Sequence, residues 1–263
     1  MSVSDAELAV AAASAGAEVV RARFAGPLAR FEKGPGDFAT DADLAAEAAV
    51  LEVLRAGRPG DAVTGEEGGR SGEGDADRMW LVDPLCGTVN YEAGHLFVAV
   101  NVALREGGAV TAAAAADPAT GEVFWTDVDR AMLRRGGADA ALRPSARTAL
   151  VDVNLDLPYR EPPGFSAVGL LADPAFAERF RPRVVSSTLA LTWVAAGRRA
   201  AYVTGGRMRD SIHFEAGIAL CEAAGCTVTD LFGEPLTDRT TGLLAAADAE
   251  THAALLEMIG RPG

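Results

Sequence analysis

The sequence predicts an α+β fold. Three observations carry that prediction: two helical patterns near the N-terminus, a run of short antiparallel strands from Leu96 to Thr126, and a second half in which strands and helices alternate. In the first helix, Ser4 and Glu7 form a capping box, and Leu8, Ala12, Ala15 and Val19 recur at spacings of four, three and four. Gly34-Pro35-Gly36 is a loop. Leu44, Ala48, Leu51 and Leu54 mark a second helix that ends at Gly57 and begins near Asp41 or Asp43. Leu96 to Leu104 reads as a strand, Gly107-Gly108 as a hairpin turn, and Ala109 to Ala115 as the returning strand. After the turn at Asp117 to Gly121, Glu122 to Thr126 completes the meander.

Residues 136–148, rich in glycine and alanine, read as the passage between an N-terminal half (1–148) and a C-terminal half (149–263). Leu150 to Leu155 opens the second half as a strand, and Asp156 to Gly164 is a polar, proline-rich loop. Ser187 to Ala196 is a helix stopped at Gly197, Ala200 to Val203 a strand, and a last helix closes the chain.

The stretch around which these elements are arranged is Met79-Trp80-Leu81-Val82-Asp83-Pro84-Leu85-Cys86-Gly87-Thr88-Val89-Asn90. Its four apolar residues read as a short buried strand that ends in a carboxylate and a proline, which cannot continue a central ladder. If a helical turn starts at Cys86 or Gly87, the amides of Gly87, Thr88 and Val89 point out of its N-terminus, where phosphate is favoured.

Composition narrows the function. A chain of 263 residues with 49% hydrophobic residues buries a substantial core, as one large domain or two closely packed halves. A formal charge of −13, from 24 basic and 37 acidic residues, disfavours nucleic acid and anionic membrane as partners and leaves a small ligand. The abundant alanine is read as helix preference and base composition. The N-terminus has no basic n-region, no run of 18 apolar residues spans a bilayer, and Cys86, Cys221 and Cys226 form no CxxC pair. The expectation is a cytoplasmic protein.

Asp83-Pro84-Leu85-Cys86-Gly87-Thr88-Val89-Asn90 resembles the Asp-Pro-(Ile/Leu)-Asp-Gly-Thr-x-Asn signature of the inositol monophosphatase family. The resemblance extends over nearly the whole chain. It implies a layered α/β/α/β/α sandwich, a phosphatase that uses magnesium, and often a homodimer. Asp37 to Asp43 is similar to the family's Asp-x-Val-Thr-x-x-Asp element, which makes Asp43 a holder of a metal ion or its water; helix capping is the plainer reading. Gly65-Glu66-Glu67 is similar to the family's Gly-Glu-Glu element, which makes Glu66 a metal ligand, although a solvated turn reads as well. Asp83 and the Leu85 carbonyl complete that position, with Thr88 assisting the attack and Gly87 and Thr88 meeting phosphate. Arg181, Arg183 and Ser186 meet the rest of a substrate or are simply exposed.

Two letters depart from the family pattern. Cys86 stands where the family has the second aspartate of its signature, and His213, in Ile212-His213-Phe214-Glu215-Ala216-Gly217, stands where it has another metal-binding aspartate. Asp210 is an alternative occupant if the preceding loop shifts register; its plain reading is an N-cap. Magnesium gains little from thiol or imidazole. Three possibilities follow for a small phosphorylated metabolite: hydrolysis of a sugar, cyclitol or nucleotide phosphate with altered metal use, one magnesium or else zinc or manganese; a Cys86 and His213 pair repurposed as nucleophile and base for lyase, isomerase, cyclase or acyl-transfer chemistry; or binding without catalysis.

Overall fold

A computed structural model describes residues 3–34, 37–72, 77–155, 162, 164–208, 211–237 and 240–260. The first part contains α1 (Asp5–Arg23), β1 (Arg30–Gly34), β2 (Asp37–Thr40), α2 (Asp41–Gly57), β3 (Ala62–Gly65), β4 (Gly69–Ser71), β5 (Arg78–Cys86) and α3 (Thr88–Glu92). It continues with β6 (Ala99–Glu106), β7 (Ala109–Asp117), β8 (Glu122–Thr126), β9 (Ala131–Arg135) and β10 (Ala138–Ala141). Then follow β11 (Leu150–Val153), α4 (Ala167–Ala172), α5 (Pro174–Arg179), β12 (Arg181–Val184), α6 (Leu189–Ala195) and β13 (Ala201–Arg207). The chain closes with α7 (Glu215–Ala224), β14 (Thr227–Thr229), β15 (Thr241–Ala246) and α8 (Ala249–Ile259). Among the described residues no helix is long and apolar enough to cross a membrane.

The α+β class and the five-layer order hold. An eight-stranded sheet runs β10-β9-β8-β7-β6-β5-β3-β4 and a five-stranded sheet runs β12-β11-β13-β15-β14. Helices α1 and α2 cover one face of the large sheet; α6 and α7 lie between the two sheets; α4, α5 and α8 cover the far face of the small one. The large sheet is antiparallel except where β3 pairs parallel with β5.

Strand β7 explains how helices pack on both faces of this sheet. Ala112, Ala114 and Ala116 face the core under α1 and α2, whereas Ala113 and Ala115 face the α7 side. Successive side chains of a strand alternate faces, so an alanine run lets a helix approach from either side. The alanines of this strand therefore serve close packing, which corrects the compositional reading.

Several expectations need correction. Helix α1 buries Ala13, Gly16, Ala17 and Val20, with Ala15 and Val19 only partly covered, because it packs on α2 and on the sheet at once. In α2 the buried face holds Ala42, Asp43, Ala46, Glu47, Val50 and Leu54, while Leu44 and Ala48 point to solvent. That face carries two carboxylates, so an apolar-only periodicity finds the wrong phase. Strand β5 does not stop at Pro84: pairing with β6 resumes at Cys86 after a register shift, since proline removes one donor but the chain stays extended. The passage region opens with the turn, at Gly136 and Gly137, both at positive φ, and the returning strand β10 of a hairpin that begins with β9.

Helix α7, which follows His213, is fixed by close contact with α6. A Cβ added at Gly217 would lie 2.7 and 2.8 Å from Leu191 side-chain atoms, whereas one at Gly60 would meet nothing within 4 Å. Overpacking of this kind costs about 1–3 kcal/mol. Gly217→Val is expected to lower the denaturation midpoint accordingly, with Gly60→Ala changing stability by less than about 0.5 kcal/mol. Urea unfolding followed by circular dichroism checks both.

Candidate active site

The parallel register of β3 and β5 places two carboxylates side by side. Gly65 stands opposite Val82, and the Glu66 amide donates to the Val82 carbonyl (3.1 Å), so Glu66 emerges next to Asp83. Asp83 is fully buried; its Oδ1 accepts the Leu85 amide (3.1 Å), which leaves Oδ2 for His213. The turn after Glu66 is held from α2, where the Glu47 carboxylate accepts the amides of Glu67 (2.8 Å) and Gly68 (2.7 Å). A Cβ at Gly65 would lie 2.5 Å from that carboxylate, so the glycine is required by close approach.

Asp43 is a capping residue and more. Thr40 is the N-cap of α2, and Asp43 Oδ2 accepts both its amide (2.8 Å) and its hydroxyl (2.5 Å). Asp43 Oδ1 accepts the hydroxyl of Thr88 (3.0 Å), which also lies 3.3 Å from the Leu85 carbonyl. Burial pushes the Asp43 carboxyl up, against the lowering effect of its Thr40 and Thr88 hydrogen bonds.

Gly87 caps α3 in the left-handed region (φ 115°). A Cβ there would meet the Phe97 and Ser186 carbonyls at 3.1 and 3.3 Å. Asn90 Nδ2 donates to the same two carbonyls (2.9 and 2.7 Å) and so fastens the turn to both halves of the chain. Ser186 thus contributes its carbonyl to the frame of the turn. Arg181 and Arg183 lie exposed on β12, at an edge of the small sheet, and Asp210 lies outside the described residues.

His213 comes from the turn before α7, anchored by the buried Phe214. Its Nδ1 lies 2.7 Å from Asp83 Oδ2 and 3.9 Å from Glu66 Oε2. A carboxylate only accepts, so Nδ1 carries the proton. Burial opposes charge on the ring, but Asp83 and then Glu66 outweigh it and raise the pKa to about 9. Glu66 is pushed up to about 8, first by burial and then by the Asp83 charge. Lys33 on β1 donates to Glu66 (3.0 Å) and Glu67 (2.7 Å). Cys86 keeps some exposed surface, yet burial around its sulfur and the nearby Asp83 charge hold the thiol well above its ordinary range. Ligand atoms of Asp83, Cys86 and His213 lie within 4.8 Å of one another.

The structure therefore brings positions 66, 83, 86 and 213 to one acidic cleft, with the Asp43 and Thr88 pair beside them. The sequence profile of the inositol monophosphatase family matches residues 3–261. The chain belongs to the inositol monophosphatase family. The inositol-1-monophosphatase of Caulobacter vibrioides is 32% identical over 236 residues, covering 87% of this chain and 89% of that protein. The Nus factor SuhB of Pseudomonas aeruginosa is 33% identical over 216 residues, covering 77% and 75%. The crystal structure of extragenic suppressor protein SuhB from Bartonella henselae superposes with a TM-score of 0.83 at 25% identity, covering 98% of each chain. This member is an inositol-monophosphatase-like phosphatase by family and fold.

Sequence reasoning missed Lys33 and Glu47, and gave Asn90 a place in the signature but no role. Glu47 had a signal, because it follows Asp43 by four residues and shares its helix face. Lys33 had none, since only the pairing of β1 with β2 brings it to the cleft.

The cleft holds protons tightly when no metal ion is bound. His213 (about 9 against 6.5) and Glu66 (about 8 against 4.5) both have folded pKa values above their ordinary ones. Their contribution to stability is complete below the ordinary values and is lost as pH rises through 8 to 9. In EDTA the thermal midpoint is expected to fall between pH 6.5 and 9, and Glu66→Gln to flatten the slope. Calorimetric scans across that range check it.

Proposed function

We propose that this chain hydrolyses the phosphoric monoester of a small sugar, cyclitol or nucleotide, with a metal site altered from the family pattern. The observation that carries the reading is the Thr88 hydroxyl set on Asp43 (3.0 Å) at the rim of a cleft that also presents Glu66 and Asp83. Glu66, Asp83 Oδ2 and the Leu85 carbonyl would hold one magnesium ion. The donors fit: all are hard oxygens, of the kind magnesium prefers. When bound, that ion supplies a Lewis acid for the phosphate and its attacking water.

The chain's own groups orient the reaction. Thr88 donates its proton to Asp43 Oδ1, which turns an oxygen lone pair of Thr88 outward to accept from water. Asp43 is buried and held by Thr40, so it fixes that direction. Gly87 lets the chain turn so that the first amides of α3, which have no partner within the helix, face an anion. Ser186 is assigned to the substrate side of this turn; Asp210, the other residue expected to meet substrate, lies outside the described residues. By family resemblance a homodimer acting in the cytoplasm is also expected.

The repurposed pair is less well supported. The Cys86 thiol is held protonated by burial and by Asp83, and His213 already shares its proton with Asp83, so it is no free base for sulfur. Phosphate release from a panel of sugar, inositol and nucleotide monophosphates with added magnesium, manganese or zinc tests the proposal. Thr88→Ala and Asp43→Asn are expected to lower kcat by about 10²–10⁴-fold at near-constant KM. Absence of phosphate release with every ion, from protein folded by circular dichroism, would overturn it.

A further inference from the structure

The side chains at positions 86 and 213 do more than remove carboxylates. Loss of two ligands alone would leave arbitrary side chains, yet the two present are a thiol and an imidazole, both soft or borderline donors, and both sit against Asp83. We propose that Asp83, Cys86 and His213 form a binding site for a zinc-class ion in place of a second magnesium. The inference rests on the hydrolase reading only for what the ion would serve; binding itself is read without turnover.

Geometry supports it. In a tetrahedral zinc site, bond lengths of about 2.0–2.3 Å put ligand atoms about 3.2–3.8 Å apart. The three donor atoms here already lie within 4.8 Å of one another, and His213 Nδ1 is 2.7 Å from Asp83 Oδ2, so side-chain adjustments of an ångström or less make the set. Each donor is braced. Asp83 is pinned through Oδ1 by the Leu85 amide, and Cys86 by pairing with Ala99. His213 is held by the buried Phe214 and by the α6 to α7 contact at Gly217. With Glu66 on the magnesium side and the Asp83 carboxylate shared between the two positions, a water or substrate oxygen takes the fourth place.

Binding balances as an exchange of cations. The ion takes the place of the proton between His213 and Asp83 and of the thiol proton of Cys86, and both protons go to solvent. No redox change is involved. Magnesium does not compete, because it is reluctant to leave oxygen ligands for sulfur and nitrogen.

Cobalt(II) is the probe, titrated anaerobically into protein freed of metal and of any affinity tag. The expected result is one equivalent bound with a sulfur-to-cobalt charge-transfer band and the strong visible bands of a four-coordinate ion, bleached by zinc and untouched by excess magnesium. Cys86→Ser is expected to abolish the charge-transfer band and weaken binding by about 10–100-fold or more. Cys86→Asp with His213→Asp restores hard donors and should shift preference to magnesium, which keeps the test valid if a single variant folds poorly. A weak octahedral spectrum, or a charge-transfer band that survives Cys86→Ser and disappears in Cys221→Ser or Cys226→Ser, overturns the site. Phosphate release without the band sinks this inference and leaves the hydrolase standing; the band without phosphate release does the reverse.

Discussion

The candidate site depends on two acids held next to each other, Asp83 fully buried and Glu66 half-buried. The parallel pairing of β3 with β5 sets Glu66 beside Asp83 at the same end of the large sheet, where water is scarce and like charges repel. The protein tolerates this only by surrounding them with donors: the Leu85 amide on Asp83, Lys33 on Glu66, and His213 bridging toward both. Glu47, one layer away, spends its carboxylate on the amides of the Glu66 turn and so fixes where the pair must sit. Local sequence choices follow from the same need. Gly65 makes room for Glu47, Pro84 breaks the β5 ladder after Asp83, and Gly87 takes the left-handed turn that carries Thr88 onto Asp43.

The layering follows from a second constraint, that a sheet flanked on both faces by helices must be thin where they cross. The alanine run of β7 meets it, and so do Gly16, whose missing Cβ would strike Val50 and Val100, and Gly217 against Leu191. The result is rigid support for α7, which in turn holds His213 against residues more than a hundred positions away.

Much of this was legible in the chain. The order Asp83-Pro84-Leu85-Cys86-Gly87-Thr88 announced the turn at the site, though not that β5 resumes pairing at Cys86, and the meander, the second-half strand and the α6 helix were readable from periodicity and glycine stops. Helix phase was harder, because α2 turns a face with Asp43 and Glu47 inward while Leu44 stays exposed; burying charge for function defeats a rule built on apolar residues. The β9 and β10 hairpin was hidden because β10 is exposed along its length and carries no alternating hydrophobic signal, although Gly136-Gly137 marked its turn. Lys33 acts through long-range pairing, for which adjacent letters hold no trace, whereas Asn90 stood in the signature but its two carbonyl partners were visible only in the fold.

The internal cations set what a metal ion must do to enter. Lys33 and His213 already neutralise part of the charge on Glu66, Glu67 and Asp83, so an incoming ion gains only the difference between its own attraction and theirs. A hard ion such as magnesium, with a strongly held water shell, gains little from that exchange at the His213 side, where it would give up oxygen ligands for nitrogen and sulfur. A borderline ion gains covalency with both and loses less hydration. By donor chemistry alone, the cluster of Asp83, Cys86 and His213 suits a borderline ion better than magnesium.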